Sequence, residues 1–137
     1  MTASTVSAAE EAAAQGLRVL QAMPVVAETP LERLDGVVTP VELFYLRENF
    51  PRPSAEVVDP ETFRLTIDGL VERPGPRSLG DFADFPAAAE TVTFECARNN
   101  RSYLRPRASG NQFEDGAVST GVWAGVRLRE GSTGVSL

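Results

Sequence analysis

One cysteine and no histidine among 137 residues constrain this chain more than any other feature. Without histidine, a zinc, copper or haem site of the usual kind cannot be assembled. With one thiol no intramolecular disulfide can close, so the fold must rest on the core that a single domain of this length can bury. The cysteine, Cys96, ends the alternating segment Thr91-Val92-Thr93-Phe94-Glu95-Cys96 and opens the polar run Ala97-Arg98-Asn99-Asn100-Arg101. Period two puts Val92, Phe94 and Cys96 on one face of a strand and Thr91, Thr93 and Glu95 on the other. Cys96 is therefore expected to be buried at the carboxyl end of a central strand. Three uses remain open: a structural core thiol, a nucleophile, or a single-cysteine anchor for a metal whose other ligands come from a cofactor. A lone thiol among apolar neighbours is most often a small core hydrophobe. A nucleophile would lack a histidine base, although Arg98, Arg101, Arg105 and Arg107 could favour the thiolate and hold anions.

Local signals place the other elements. Ser7 and Glu10 have capping-box spacing and predict a helix running toward Leu20, weakened by Gly16. Residues 24–40 read as extended, and Val41 to Leu46 as a short helical turn that delivers Arg47. Phe63 to Val71 reads as a strand with Phe63, Leu65 and Ile67 on its inner face, closed by a turn at Asp68-Gly69. Ser78, with Asp81 three residues later, predicts a short helix that turns Phe82 and Phe85 inward until Pro86 stops it. The stretch from Arg98 to Gly116 is a long, arginine-rich loop of the kind that often carries function. Within it the adjacent pair Glu114-Asp115 reads as turn chemistry.

Five blocks, in order from about residue 28 to 130, carry a family resemblance. Thr39-Pro40-Val41-Glu42-Leu43-Phe44-Tyr45-Leu46-Arg47-Glu48-Asn49-Phe50-Pro51-Arg52-Pro53 resembles T-P-N-x-x-F-F-x-R-N-H-x-P-x-P. Phe63-Arg64-Leu65-Thr66-Ile67-Asp68-Gly69 is similar to Y-R-L-x-I-x-G, and Ser78-Leu79-Gly80-Asp81-Phe82 with Phe85-Pro86 is similar to S-L-x-D-L…F-P. Val92-Thr93-Phe94-Glu95-Cys96-Ala97-Arg98-Asn99-Asn100-Arg101-Ser102 resembles V-T-L-x-C-A-G-N-x-R-S. Gly116-Ala117-Val118-Ser119-Thr120-Gly121-Val122-Trp123-Ala124-Gly125-Val126-Arg127-Leu128 resembles G-A-I-S-T-A-x-W-x-G-V-x-L. These are the motifs of the sulfite oxidase family of molybdenum enzymes.

The resemblance implies an α+β fold, a mixed β-sheet with short helices, incomplete at the carboxyl end. It implies an amino-terminal extension over residues 1–27, a partial molybdopterin-binding oxidoreductase domain over 28–130, and an atypical tail over 131–137. It implies the molybdenum–molybdopterin cofactor, with Cys96 as the metal's thiolate ligand and Arg47 facing an anionic substrate. Tyr45, Leu46, Arg47, Glu48 and Asn49 would occupy the stretch that touches the pterin. The implied reaction moves an oxygen atom to sulfite or a related small sulfur compound and hands electrons to a one-electron acceptor such as a cytochrome. A homodimer is implied for the complete protein. The alternative is a truncated, non-catalytic remnant acting as a binding module. Two positions depart from the pattern. Glu48-Asn49 replaces the Asn-His pair and brings negative charge toward an anionic cofactor, and Arg98 stands where the family has a glycine that would allow positive φ.

Composition speaks against a nucleic-acid partner. The net charge is −6, with 13 basic residues against 19 acidic ones, which opposes a polyphosphate partner. No apolar run reaches the roughly 18 residues of a membrane span. The first basic residue is Arg18, so no charged secretory start is read. The single thiol suits a reducing compartment, and the cytoplasm is the expected location.

Overall fold

A computed structural model describes residues 7–50, 59–71 and 73–128. Its elements run α1 (Ala8–Ala14), β1 (Arg18–Ala22), β2 (Val25–Glu28), β3 (Leu46–Arg47), β4 (Arg64–Ile67), β5 (Gly75–Ser78), β6 (Ala87–Glu95) and β7 (Val118–Val126), with four three-residue 3-10 turns between them. The chain is thus rich in sheet and poor in helix. Strand order is β1-β2-β3 in one sheet, β4-β5 in a second and β6-β7 in a third. The registers of β1 with β2, β2 with β3, and β4 with β5 are all antiparallel. The expected mixed sheet is therefore corrected, among the described residues, to small antiparallel sheets. β1 and β2 are joined by two residues and β4 and β5 by seven, too few for a parallel crossover of a dozen or more. The Pro51-Arg52-Pro53 end of the first motif and the tail Gly131 to Leu137 lie outside the described residues.

The chain folds as two compact units, Met1–Pro51 with Thr91–Val122, and Arg52–Glu90 with Trp123–Leu137. In the first, Ser7 caps α1 as its spacing predicts. Its hydroxyl accepts from the Glu10 N–H (3.3 Å), and the Glu10 carboxylate accepts from the Ser7 N–H (2.8 Å). The helix stops at Ala14 instead of reaching Leu20, because Gly16 turns left-handed at φ 96° and Arg18 begins β1. β2 is the central strand and is buried along its whole length. Its alternation sends Ala27 to one side, where Ala12, Leu17, Val19 and Leu46 pack, and Val26 to the other, where Phe113, Ala117, Leu20, Tyr45 and Cys96 pack. The core of this unit is these two clusters, one on each face of β2. Thr29 donates its N–H to the carbonyl of Gly116 (3.0 Å) and so joins the end of β2 to the entry of β7.

In the second unit the strand read over Phe63 to Val71 is shorter, Arg64–Ile67, and pairs with β5 from Arg64 opposite Ser78 to Ile67 opposite Gly75. Ile67 and Phe63 are half-buried, but Leu65 is 47% exposed, so the expected inner face is only partly covered. The helix expected after Ser78 is one 3-10 turn, Gly80–Phe82. Ser78 and Asp81 still bond reciprocally: the Ser78 N–H reaches the Asp81 carboxylate (2.7 Å) and the Asp81 N–H reaches the Ser78 hydroxyl (3.2 Å). Arg127 pairs with Glu90 at 2.8 Å.

Candidate functional site

Every residue singled out for function falls in the first unit. Cys96 directly follows β6. Its N–H donates to the Ala117 carbonyl (2.9 Å), while its own carbonyl accepts from the Asn99 N–H (2.8 Å). Three residues back along β6, the Thr93 and Thr120 hydroxyls meet at 2.8 Å, so the contacts step in opposite senses, as in an antiparallel ladder. The thiol lies half-buried against the Val26–Phe113–Ala117 cluster. Two expectations are thereby corrected. Cys96 is only half-buried, and β6 pairs in a two-stranded sheet instead of running centrally. Phe94, predicted to point inward with it, is 47% exposed. Alternation within β6 is real, but a two-stranded sheet offers too little cover to bury one whole face.

The motif around Arg47 divides between the two faces of the first sheet. Tyr45 packs beside Cys96 on the Val26 cluster, its ring edge-on to Phe113 at 6.4 Å and 81°. Its N–H is held by the Ser119 hydroxyl (3.1 Å). Burial first, then negative charge on Cys96 and Glu95, pushes the Tyr45 phenol above its ordinary value of 10.0, so it stays a neutral donor at pH 7. Leu46 points the other way and packs against Ala12, Leu17 and Ala27. Arg47 stands opposite Val26 in the β2–β3 ladder, and directly paired residues project to the same face. Arg47 therefore belongs to the face that carries Val26, Tyr45 and Cys96, with one N–H on the Glu48 carbonyl (2.6 Å). Glu48 is tied through its N–H to the Val25 carbonyl (3.0 Å), and Asn49 is exposed.

The loop after Cys96 is closely tied. Asn99 Oδ1 accepts from the Ala117 N–H (3.1 Å), and its amide nitrogen donates to Glu95 (3.0 Å). Asn100 is left-handed at φ 64° and donates to the Glu114 carbonyl and the Asp115 carboxylate; Tyr103 donates to the same carboxylate at 2.6 Å. Among the described residues the positive φ values of this loop fall on Asn100 and Gly110, not on Arg98. Asparagine tolerates that region better than most residues, so arginine in the family's glycine place meets no backbone strain. The loop arginines act first on their own loop: Arg98 on Asn111 (3.1 Å), Arg101 on the Ser109 carbonyl, Arg105 on the Ser102 carbonyl (2.9 Å) and Arg107 on Gln112 (3.1 Å). Sequence reasoning missed the roles of Asn99 and Phe113 and the buried Glu28. Asn99 was visible as part of the cysteine motif, whereas nothing local marks Glu28 as buried.

The donor chemistry fits a metal that carries most of its own ligands. Among the described residues no three His, Cys, Asp or Glu side chains converge, while one soft sulfur stands on a face shared with an arginine and a neutral phenol. A molybdenum carried by molybdopterin would need that kind of partner: one thiolate rather than a cage.

Comparisons with known proteins point the same way. The family described as "Oxidoreductase molybdopterin binding domain" matches residues 51–130. The mitochondrial sulfite oxidase of Mus musculus is 39% identical over 119 residues, 82% of this chain and 21% of that protein. A nitrate reductase [NAD(P)H] of Hordeum vulgare is 38% identical over 112 residues, covering 78% of this chain and 12% of the relative. The crystal structure of the sulfane dehydrogenase SoxCD from Paracoccus pantotrophus superposes with a TM-score of 0.57 at 27% identity, over 74% of this chain and 26% of that one. The chain thus spans about a fifth of the length of the sulfite oxidase it matches.

Proposed function

The chain belongs to the family of the oxidoreductase molybdopterin binding domain, and on that premise we propose that it supplies the metal thiolate and the anion-facing arginine of a sulfite-oxidase-type site. The observation that supports this reading best is the common face of Cys96, Tyr45 and Arg47 around Val26. When bound, the molybdenum cofactor supplies the two-electron redox change and the exchangeable oxygen. Cys96 holds the metal through sulfur. Arg47 draws a small oxyanion toward that face and screens its charge. The Tyr45 phenol donates a hydrogen bond there. Glu48, Asn49 and Leu46 belong to the stretch beside the pterin, Leu46 by anchoring β3 from the opposite face.

The substrate we assign is sulfite or a related small sulfur compound, and the acceptor a one-electron carrier such as a cytochrome. The complete protein would act as a homodimer in the cytoplasm. Among the described residues no helix is long and apolar enough to cross a membrane. A specific observation favours a second reading, a non-catalytic binding module. In the second unit an apolar groove of about 660 Å³ is lined by Leu65, Ile67, Leu79, Phe82, Val126 and Leu128. Metal analysis of the chain purified from cells that make the cofactor separates the two. About one molybdenum per chain is the expected result; none, in protein that unfolds cooperatively, selects the binding module.

A further inference from the structure

The ladder between β6 and β7 ends in an exchange of partners at Cys96. In an antiparallel bonded pair, two opposed residues trade both N–H···O bonds. Cys96 gives its N–H to Ala117, but the turn has already claimed its carbonyl through the Asn99 N–H at 2.8 Å. The Ala117 N–H is completely buried with its residue and would be left without an acceptor. The Asn99 side-chain oxygen takes the place of the Cys96 carbonyl at 3.1 Å, and the same amide reaches back to Glu95, the residue before the cysteine, at 3.0 Å.

We infer that Asn99 is a positioning residue: it locks the Glu95–Cys96 end of β6 to Ala117 and so fixes where the thiol stands. Its value for metal binding rests on the function proposed above. Both side-chain groups are used. The oxygen satisfies a buried donor, and the nitrogen sets the direction in which the turn leaves the strand. Aspartate at this place would keep the acceptor but set two carboxylates against each other. Leucine would remove both bonds at similar volume.

The test uses the full chain and reads two quantities without activity: hydrogen exchange at the Cys96 and Ala117 amides, and the rate at which iodoacetamide alkylates Cys96. Asn99→Leu is expected to raise local exchange and to change the alkylation rate by about tenfold, the effect of losing one well-made buried hydrogen bond. Asn99→Asp alone should fall between. Asn99→Asp combined with Glu95→Gln keeps the net charge and restores a donor–acceptor pair in the reverse sense, so it should return both readings to within about threefold of the parent. Amides of β1 and β2 should not move, which separates a local clamp from general destabilisation. Unchanged exchange in Asn99→Leu, or a double variant no better than Asn99→Asp, would overturn the clamp. Molybdenum retention separates this inference from the function. A parent chain without molybdenum refutes the function and leaves the clamp to be decided by exchange. A loosened Asn99→Leu that keeps the parent's full molybdenum content shows that the clamp does not serve the metal.

Discussion

Arg18 and Glu28 stand opposite each other in the β1–β2 ladder and close an ion pair across it, with Glu28 only 1% exposed. The second oxygen of Glu28 accepts the Glu114 N–H (2.8 Å), and Arg18 also reaches the Glu114 carboxylate (2.8 Å). One arginine thus joins two acids and ties the first sheet to the segment that leads into β7, the strand Cys96 is held against.

Arg18→Ala should be far more damaging than Glu28→Gln. Removing the arginine leaves a buried carboxylate with one N–H partner, and breaking a buried pair from one side costs about 3 kcal/mol or more. An amide at position 28 can still accept from Glu114, while Arg18 keeps the Glu114 carboxylate, so about 1 kcal/mol is expected. Urea denaturation of both variants measures the order. Equal losses would show that Arg18 does not compensate Glu28.

The same network predicts acid sensitivity. The hydrogen bond from Arg18 holds the Glu114 carboxyl below its ordinary value of 4.5. A carboxyl depressed in the folded state adds stability above its unfolded value, and that stability is lost as pH falls through the folded value. Wild type should therefore exceed Glu114→Gln in stability at pH 7, with the gap closing as pH falls below about 4.5. Urea midpoints from pH 7 to pH 3 give the comparison, and a gap independent of pH would count against it.

Gly116→Ala should be among the worst small substitutions in the chain. A Cβ there would overlap the Thr29 carbonyl oxygen, a backbone atom that cannot rotate away. Because Thr29 and Gly116 are already bonded at 3.0 Å, relief means parting β2 from β7, at roughly 3 kcal/mol, the upper end of overpacking costs. Gly125→Ala, where a Cβ meets nothing within 4 Å, serves as the control and should lie within about 0.5 kcal/mol of wild type.

For the proposed chemistry, Cys96→Ser in the complete protein should remove molybdenum and oxygen-atom transfer together, since a hard alkoxide is a poor substitute for a thiolate. Arg47→Gln should retain the metal but weaken anion binding, raising KM and lowering kcat/KM by about tenfold or more. Metal content and steady-state kinetics read both. A fully active Cys96→Ser protein would refute the ligand assignment.

Local chemistry is legible in the sequence itself. The reciprocal Ser7–Glu10 and Ser78–Asp81 bonds, the strand that ends at Cys96 and the motifs that carry the family all involve residues a few positions apart, where spacing alone sets what can meet. The folded chain decided the rest. Which side of β3 Tyr45 and Leu46 take, how far Cys96 and Phe94 are covered, why Glu28 is buried, and why Asn99 must replace the Cys96 carbonyl all depend on partners such as Val26, Phe113 and Ala117. Those partners lie far away in the sequence, and burial and hydrogen-bond pairing are properties of assembled neighbours, so no local pattern encodes them.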